Sequence, residues 1–168
     1  MNFTKILRAN RSGFTLMELV ITISLLVISV GVTSDVILTL VRSYTKNQIA
    51  TEVEQAANFV FLKLEKELRA GSSVTGGGTS ITFVDSSNTN VTYSVTSGVV
   101  QRNTVALTQN NSSAGSVTVT CGTNCFTLTT VNGIQSVRLD MTFSQTTLAG
   151  QSPITYTISN TIVPRGNY

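Results

Sequence analysis

Hydrophobic and polar positions divide the chain into zones, each with its own period. Residues 1–13 are polar and basic, with no carboxylate. Residues 14–41 are apolar, interrupted only by small polar residues, Glu18 and Asp35. About 20 apolar residues cross a bilayer, so this run suffices. Phe14, Leu16, Leu19, Ile21, Leu25 and Ile28 leave no polar side on a helix. Such a helix belongs in lipid or inside a helical bundle.

From 42 to 70 the period stays helical but becomes one-sided. Ile49, Val53, Ala56, Val60, Leu64 and Leu68 recur every three or four residues, widened by Ala57 and Phe61. Charges fill the other face, and Glu65 precedes Arg69 by four residues, the favourable order for a helix pair. Gly71 supplies a stop, followed by Ser72, Ser73 and Gly76-Gly77-Gly78. No proline lies between Phe14 and Arg69, so the pattern allows one helix of 56 residues, roughly 84 Å long at ~1.5 Å per residue. Gly31, Thr33 and Ser34 are its weak spot.

Residues 71–168 alternate with period two. Ile81 and Phe83 flank Thr82; Val91, Tyr93 and Val95 alternate with Thr92 and Ser94. Val137, Leu139, Met141 and Phe143 alternate with Arg138, Asp140 and Thr142; Ile154, Tyr156 and Ile158 alternate with Thr155, Thr157 and Ser159. This is the signature of strands with one buried and one wet face. Ser97-Gly98 and Asn132-Gly133 are turn candidates. The expected fold is α+β: a long N-terminal helix, its hydrophobic half protruding, packed on a β-rich head. Six to eight short, mainly antiparallel strands would pack on the stripe of residues 49–68. The zones thus read as a leader at 1–13, an apolar helix at 14–41, its amphipathic continuation at 42–70, and a head at 71–168.

Composition narrows the chemistry. The chain has no His, which excludes Ser-His-Asp and Cys-His catalysis and imidazole metal sites. Two Cys cannot complete a Cys-only zinc site. The head offers no set of nucleophile, base and oxyanion group, so neither an enzyme nor a cofactor is expected. The pI near 9.1 misleads. Lys5, Arg8 and Arg11 lie in the first 13 residues, and without them 8 basic and 8 acidic side chains remain. Only Arg102, Arg138 and Arg165 are basic in the head, so nucleic acid is not an expected partner unless they converge in space. Asp85 and Asp140 stand outside any D-x-D cluster, and surface or strand-pairing roles are expected for them.

One motif carries function: Arg11-Ser12-Gly13-Phe14-Thr15-Leu16-Met17-Glu18-Leu19-Val20. It closely resembles the processing site of type IV prepilins and type II secretion pseudopilins. In that family a short basic leader ends in Gly, followed by Phe or Met, Thr-Leu-(apolar)-Glu and a long apolar helix. The resemblance implies that Gly13 is the last leader residue before cleavage by a membrane-embedded prepilin peptidase. It implies that Phe14 becomes the N-methylated N-terminus and that Lys5, Arg8 and Arg11 stay cytoplasmic. It also implies a structural subunit that leaves the inner membrane through an assembly platform and joins other pilin or pseudopilin subunits. Its head would be extracytoplasmic, in an extracellular or periplasmic filament.

A carboxylate at a helix centre in lipid costs on the order of 2.5–3.5 kcal/mol. Glu18 lies near the end, where the cost is smaller, but it still calls for a partner. The family's partner is the free amine of a neighbouring subunit, created by the cut after Gly13. The order of strand-like segments after Leu68 looks like W-type minor pilins and J-type pseudopilins. A major pilin, or a tip adhesin or DNA-uptake subunit, is the alternative. Family members often carry a proline near the middle of the helix; Asp35 stands there instead. The competing account of residues 14–41 is an ordinary signal anchor, but no A-x-A cleavage site follows the apolar run.

Cys121-Gly-Thr-Asn-Cys125 has three intervening residues, one more than the redox motif needs. In an exported head a disulfide is expected, with two ordinary thiols as the alternative. Asn90-Val-Thr92 and Asn111-Ser-Ser113 fit an N-glycosylation acceptor only formally. Ser and Thr make up 34 of the 98 head residues. Face chemistry of a small β-domain accounts for this more simply than adhesion or O-glycosylation.

Overall fold

A computed structural model describes residues 13–108, 116–146 and 152–165. Helix α1 spans Leu16–Ala70 without a break. The chain divides into two units between Ser43 and Tyr44.

In the first unit every described side chain is exposed. Phe14 is 74% exposed and Leu25 63%. The small polar residues that interrupt the apolar run turn their hydroxyls onto the helix. Thr22 donates to the Leu19 carbonyl at 2.9 Å, Ser24 to Val20 at 2.8 Å and Ser34 to Val30 at 2.8 Å. Thr33 donates to Ser29 and Thr39 to Asp35. Each hydroxyl proton is thereby satisfied within the helix, which makes these residues compatible with hydrocarbon. Gly31 to Ser34, the expected weak spot, is helical like its surroundings.

In the second unit the one-sided stripe is buried as its period predicts. Val53, Ala57, Val60, Leu64 and Leu68 are at most 1% exposed, with Ile49, Ala56 and Phe61 half-buried beside them. Glu65 and Arg69 form their ion pair at 2.8 Å on the outer face. Nine strands follow among the described residues, all paired antiparallel. They are β1 Ser72–Gly77, β2 Ser80–Val84, β3 Asn90–Thr96, β4 Val99–Arg102, β5 Val105–Ala106, β6 Thr118–Thr120, β7 Phe126–Val131, β8 Ile134–Gln145 and β9 Ile154–Ile162. The first sheet is a meander in chain order, β1-β2-β3-β4-β5. In the second, β8 takes β6 and β7 along one edge and β9 along the other. Together the sheets and residues 44–70 give a pilin-like α+β layout.

Nine strands exceed the six to eight expected, and β1 explains part of the difference. Its Ser/Gly segment reads as a stop and a turn, yet it pairs with β2. Glycine makes this possible: Gly76 and Gly77 take φ of 101° and 151°, and the register slips between Ser72 and Thr75. Val74, 1% exposed, is the strand's only apolar anchor. Two-residue β5 is the other surprise, set by a turn at Asn103-Thr104 where even a β-branched residue takes φ 70°. The two expected turns form with positive φ at both positions, Ser97-Gly98 and Asn132-Gly133, as a tight hairpin requires.

One core lies between helix and sheets. Phe83 and Tyr93 from the first sheet stack at 6.0 Å, and Phe126, Leu139 and Phe143 come from the second. The sheets join through backbone groups. The Gly78 carbonyl accepts N–H bonds from Cys125 and Phe126 at 2.9 and 3.0 Å, and the Val119 N–H reaches the Gly98 carbonyl at 2.8 Å.

Candidate functional site

The N-terminal segment holds the residues singled out by the sequence. Gly13 and Phe14 precede the helix and are exposed. A Cβ added at Gly13 would meet nothing within 4 Å, so this chain's own fold sets no need for glycine there. Lys5, Arg8 and Arg11 lie outside the described residues.

Thr15 caps α1. Its Oγ1 accepts the Glu18 N–H at 3.3 Å and its carbonyl accepts the Leu19 N–H at 3.2 Å. Thr15-Leu-Met-Glu18 has the spacing of a capping box, a signal readable from sequence that the motif reading passed over. Glu18 therefore sits in the first turn, where the helix dipole favours a negative charge. Its carboxylate contacts no cation or donor among the described residues. α1 is long and apolar enough to cross a membrane, by length and composition. Glu18 is the one acidic group near its start; it is exposed and has no partner among the described residues.

The head carries a second charged constellation, spread too far along the chain for sequence to reveal. Tyr93, wholly buried, donates its hydroxyl to Glu67 Oε2 at 2.9 Å. Arg102 Nε donates to the same oxygen at 2.8 Å and to Oε1 at 3.2 Å. Burial, then the Glu67 hydrogen bond and charge, push the Tyr93 phenol far up. The Glu67 hydrogen bond raises Arg102 against the opposing effect of burial, and the Glu67 charge adds to the rise. The arrangement ties the helix end to β3 and β4.

The other head charges are accounted for separately. Arg138 Nε holds Asp140 Oδ2 at 2.7 Å, and Ser159 Oγ donates to Asp140 Oδ1 at 2.6 Å. The Ser159 hydrogen bond and then Arg138 hold the Asp140 carboxyl below its ordinary range. Asp85 closes the β2–β3 turn by accepting the Ser87 and Thr89 N–H groups at 2.8 and 3.1 Å. Arg165 borders a shallow depression with Lys66 and Arg69. The three head arginines thus stand in different settings, two of them neutralised by carboxylates. No group of three or more His, Cys, Asp or Glu gathers among the described residues. Cys121 and Cys125 face each other with Cα atoms 5.0 Å apart and their sulfurs in bonding range. Asn90 is exposed at the start of β3; Asn111 to Ser113 lie outside the described residues.

Residues 8–34 match the family model of the prokaryotic N-terminal methylation motif, the type IV prepilin-like signal. Comparison with curated proteins and with solved structures returned no match.

Proposed function

We propose that this chain, a type IV pilin-like precursor by its N-terminal signal, is a minor pilin or pseudopilin of a type IV pilus or type II secretion-like filament. One observation carries the reading: the matched signal at 8–34 coincides with an exposed Glu18 that has no partner among the described residues, in an apolar run whose only other charge is Asp35. Prepilin peptidase cuts after Gly13, and Phe14 becomes a methylated N-terminus. Its amine pairs with Glu18 of a neighbouring subunit and sets the axial register. The apolar surface that faces lipid before assembly faces other helices afterwards. Cys121 and Cys125 are oxidised once the head is exported, pinning a loop rather than adding much chain entropy. The ion-paired Arg102 and Arg138 weigh against a DNA-uptake role.

Mass spectrometry of the N-terminal peptide, from native membranes and sheared filaments, tests this. A peptide starting at Phe14 with one added methyl is the expected result. Low abundance in the sheared fraction identifies a minor subunit, and high abundance a major one. An uncut chain starting at Met1, or a start beyond residue 30, overturns the filament reading.

A further inference from the structure

The apolar run at 14–41 is longer than a bilayer is thick, and Asp35 divides it. Its 28 residues reach about 42 Å as helix, against a hydrocarbon core of about 30 Å. Burying all of them takes a tilt of about 45°, outside the range of about 0–40° that transmembrane helices adopt. Residues 14–34 alone reach about 32 Å and fit with ordinary tilt. With Gly13 at the cytoplasmic face, Asp35 is then the first residue past the outer boundary, where its carboxylate keeps its water. Val36, Ile37, Leu38, Leu40 and Val41 lie beyond it, each more than half exposed. They form an apolar collar outside the lipid, closed by Arg42. An exposed apolar patch of this kind marks a contact surface.

The charges at the two ends of the collar select its partner. Asp35 and Arg42 are seven residues apart, which puts them on one face of α1, within about 20° of each other and about 10.5 Å apart along the axis. Both are exposed, and neither side chain has an ion-pair or hydrogen-bond partner among the described residues. The Thr39 hydroxyl goes to the Asp35 carbonyl, not to its carboxylate. All copies of this chain enter the membrane in one direction, so two collars can meet only as parallel helices. In register, Asp35 would oppose Asp35 and Arg42 would oppose Arg42, which like-charge repulsion disfavours. Displacing one copy by about seven residues toward its C-terminal end brings its Asp35 level with Arg42 of the other. The amine–Glu18 contact displaces a copy in the same sense, by four residues or about 6 Å. The remaining three residues, about 4.5 Å, are within the span of the Glu18 and Arg42 side chains.

We infer that the collar at 35–42 docks on the collar of a second, parallel copy of this chain, with Asp35 of one copy paired to Arg42 of the other. The inference rests on the filament reading and adds that copies of this chain adjoin. Assembly draws Asp35 out of water into a packing of apolar helices, where a lone carboxylate is costly and a paired one is tolerated. Guanidinium suits a desolvated carboxylate better than ammonium, because its planar fork bonds both oxygens. Lys46, the next cation along α1, is eleven residues from Asp35. Pairing with it needs a displacement of about 16.5 Å, far from that of the amine contact. A displacement repeated in one sense leaves each copy an Asp35 for one neighbour and an Arg42 for another, so the contact propagates rather than closing.

The amount of full chain in sheared filaments, normalised to the form cut after Gly13 in membranes, tests the pairing. Asp35→Arg opposes two guanidinium groups and Arg42→Asp opposes two carboxylates; each alone should lower incorporation about tenfold or more. Co-expressed, the two variants should recover about half of the wild-type level or more, because alternating copies restore opposite charge at every contact. A pair within one helix cannot give that result, since neither variant carries both signs at 35 and 42. Lys46→Asp in place of Arg42→Asp should give no recovery. Asp35→Asn, which introduces no charge, should fall about threefold or more, and it decides the matter if Asp35→Arg is not cut. Wild-type chain missing from sheared filaments would overturn the filament reading and this pairing with it. With wild type present, full incorporation of Asp35→Asn, no recovery from two co-expressed and cut variants, or equal recovery with Lys46→Asp would each overturn the pairing alone.

Discussion

Removing the Glu67 carboxylate tests whether the helix end is held by a shared charge. Glu67→Ala leaves the Tyr93 hydroxyl buried without an acceptor, costing about 1–3 kcal/mol. It also breaks the Arg102 pair, whose side chains are 30% and 23% exposed; solvent screening keeps that contribution to about 0–1 kcal/mol. The single variant should therefore lose about 1–4 kcal/mol. Tyr93→Phe removes the same hydrogen bond from the other side and should lose about 1.5–2 kcal/mol. Because one bond is counted in both, the double variant should fall short of the sum by about 1–2 kcal/mol. For a head of this size each kcal/mol moves the midpoint by about 3–5 °C. Thermal unfolding of the full chain in mild detergent, followed by near-ultraviolet circular dichroism, measures all three. Strictly additive losses would refute the shared bond. The pH dependence supplies a second check. The folded Tyr93 value lies above the ordinary 10.0. Its stabilisation is complete below 10.0 and is lost as pH rises toward the folded value. Tyr93→Phe should remove that part of the alkaline decline.

Leu64→Ala, at a position 1% exposed, should cost about 2–5 kcal/mol in the same unfolding assay; a loss under half a kcal/mol would mean that the stripe does not meet the sheets as described. Asp140 has a folded value below its ordinary 3.8, so its contribution is present above that pH and disappears as pH falls through the folded value. Asp140→Asn should accordingly flatten the acid limb of a stability–pH curve and leave the neutral plateau less changed, whereas an unchanged acid limb would contradict the role given to Ser159 and Arg138. Glu18→Ala should leave the cut after Gly13 intact while the chain disappears from sheared filaments, and normal incorporation would remove the amine-pairing role.

Local periodicity carried most of what was legible in the sequence. Val53, Val60, Leu64 and Leu68 recur at helical spacing because one side of one helix is buried. Val137 to Phe143 alternate because one face of β8 is buried and the other is wet. The expected turns were readable because Asn-Gly and Ser-Gly tolerate positive φ. β1 was not, since glycines that usually end structure here permit a distorted strand. The helix cap was in plain view as Thr15 and Glu18 three apart, but the processing motif claims the same residues. The Glu67–Tyr93–Arg102 trio could not be read, because its members are 26 and 35 residues from Glu67 and only tertiary packing unites them.

The chain-order meander of the first sheet has a consequence for how the head folds. Every pairing from β1 to β5 joins neighbours in sequence, so each closes a short loop with little entropy lost. Low contact order of this kind favours rapid formation. During synthesis residues 44–106 emerge before β6, so the first sheet and the helix segment that carries Leu64 and Leu68 can associate while β8 is still unmade. β8, which must gather β6, β7 and β9, is then the late, slow step. Until it arrives, apolar side chains on the half-finished core stay open to water. That interval, rather than the finished head, is when this chain is most exposed to aggregation.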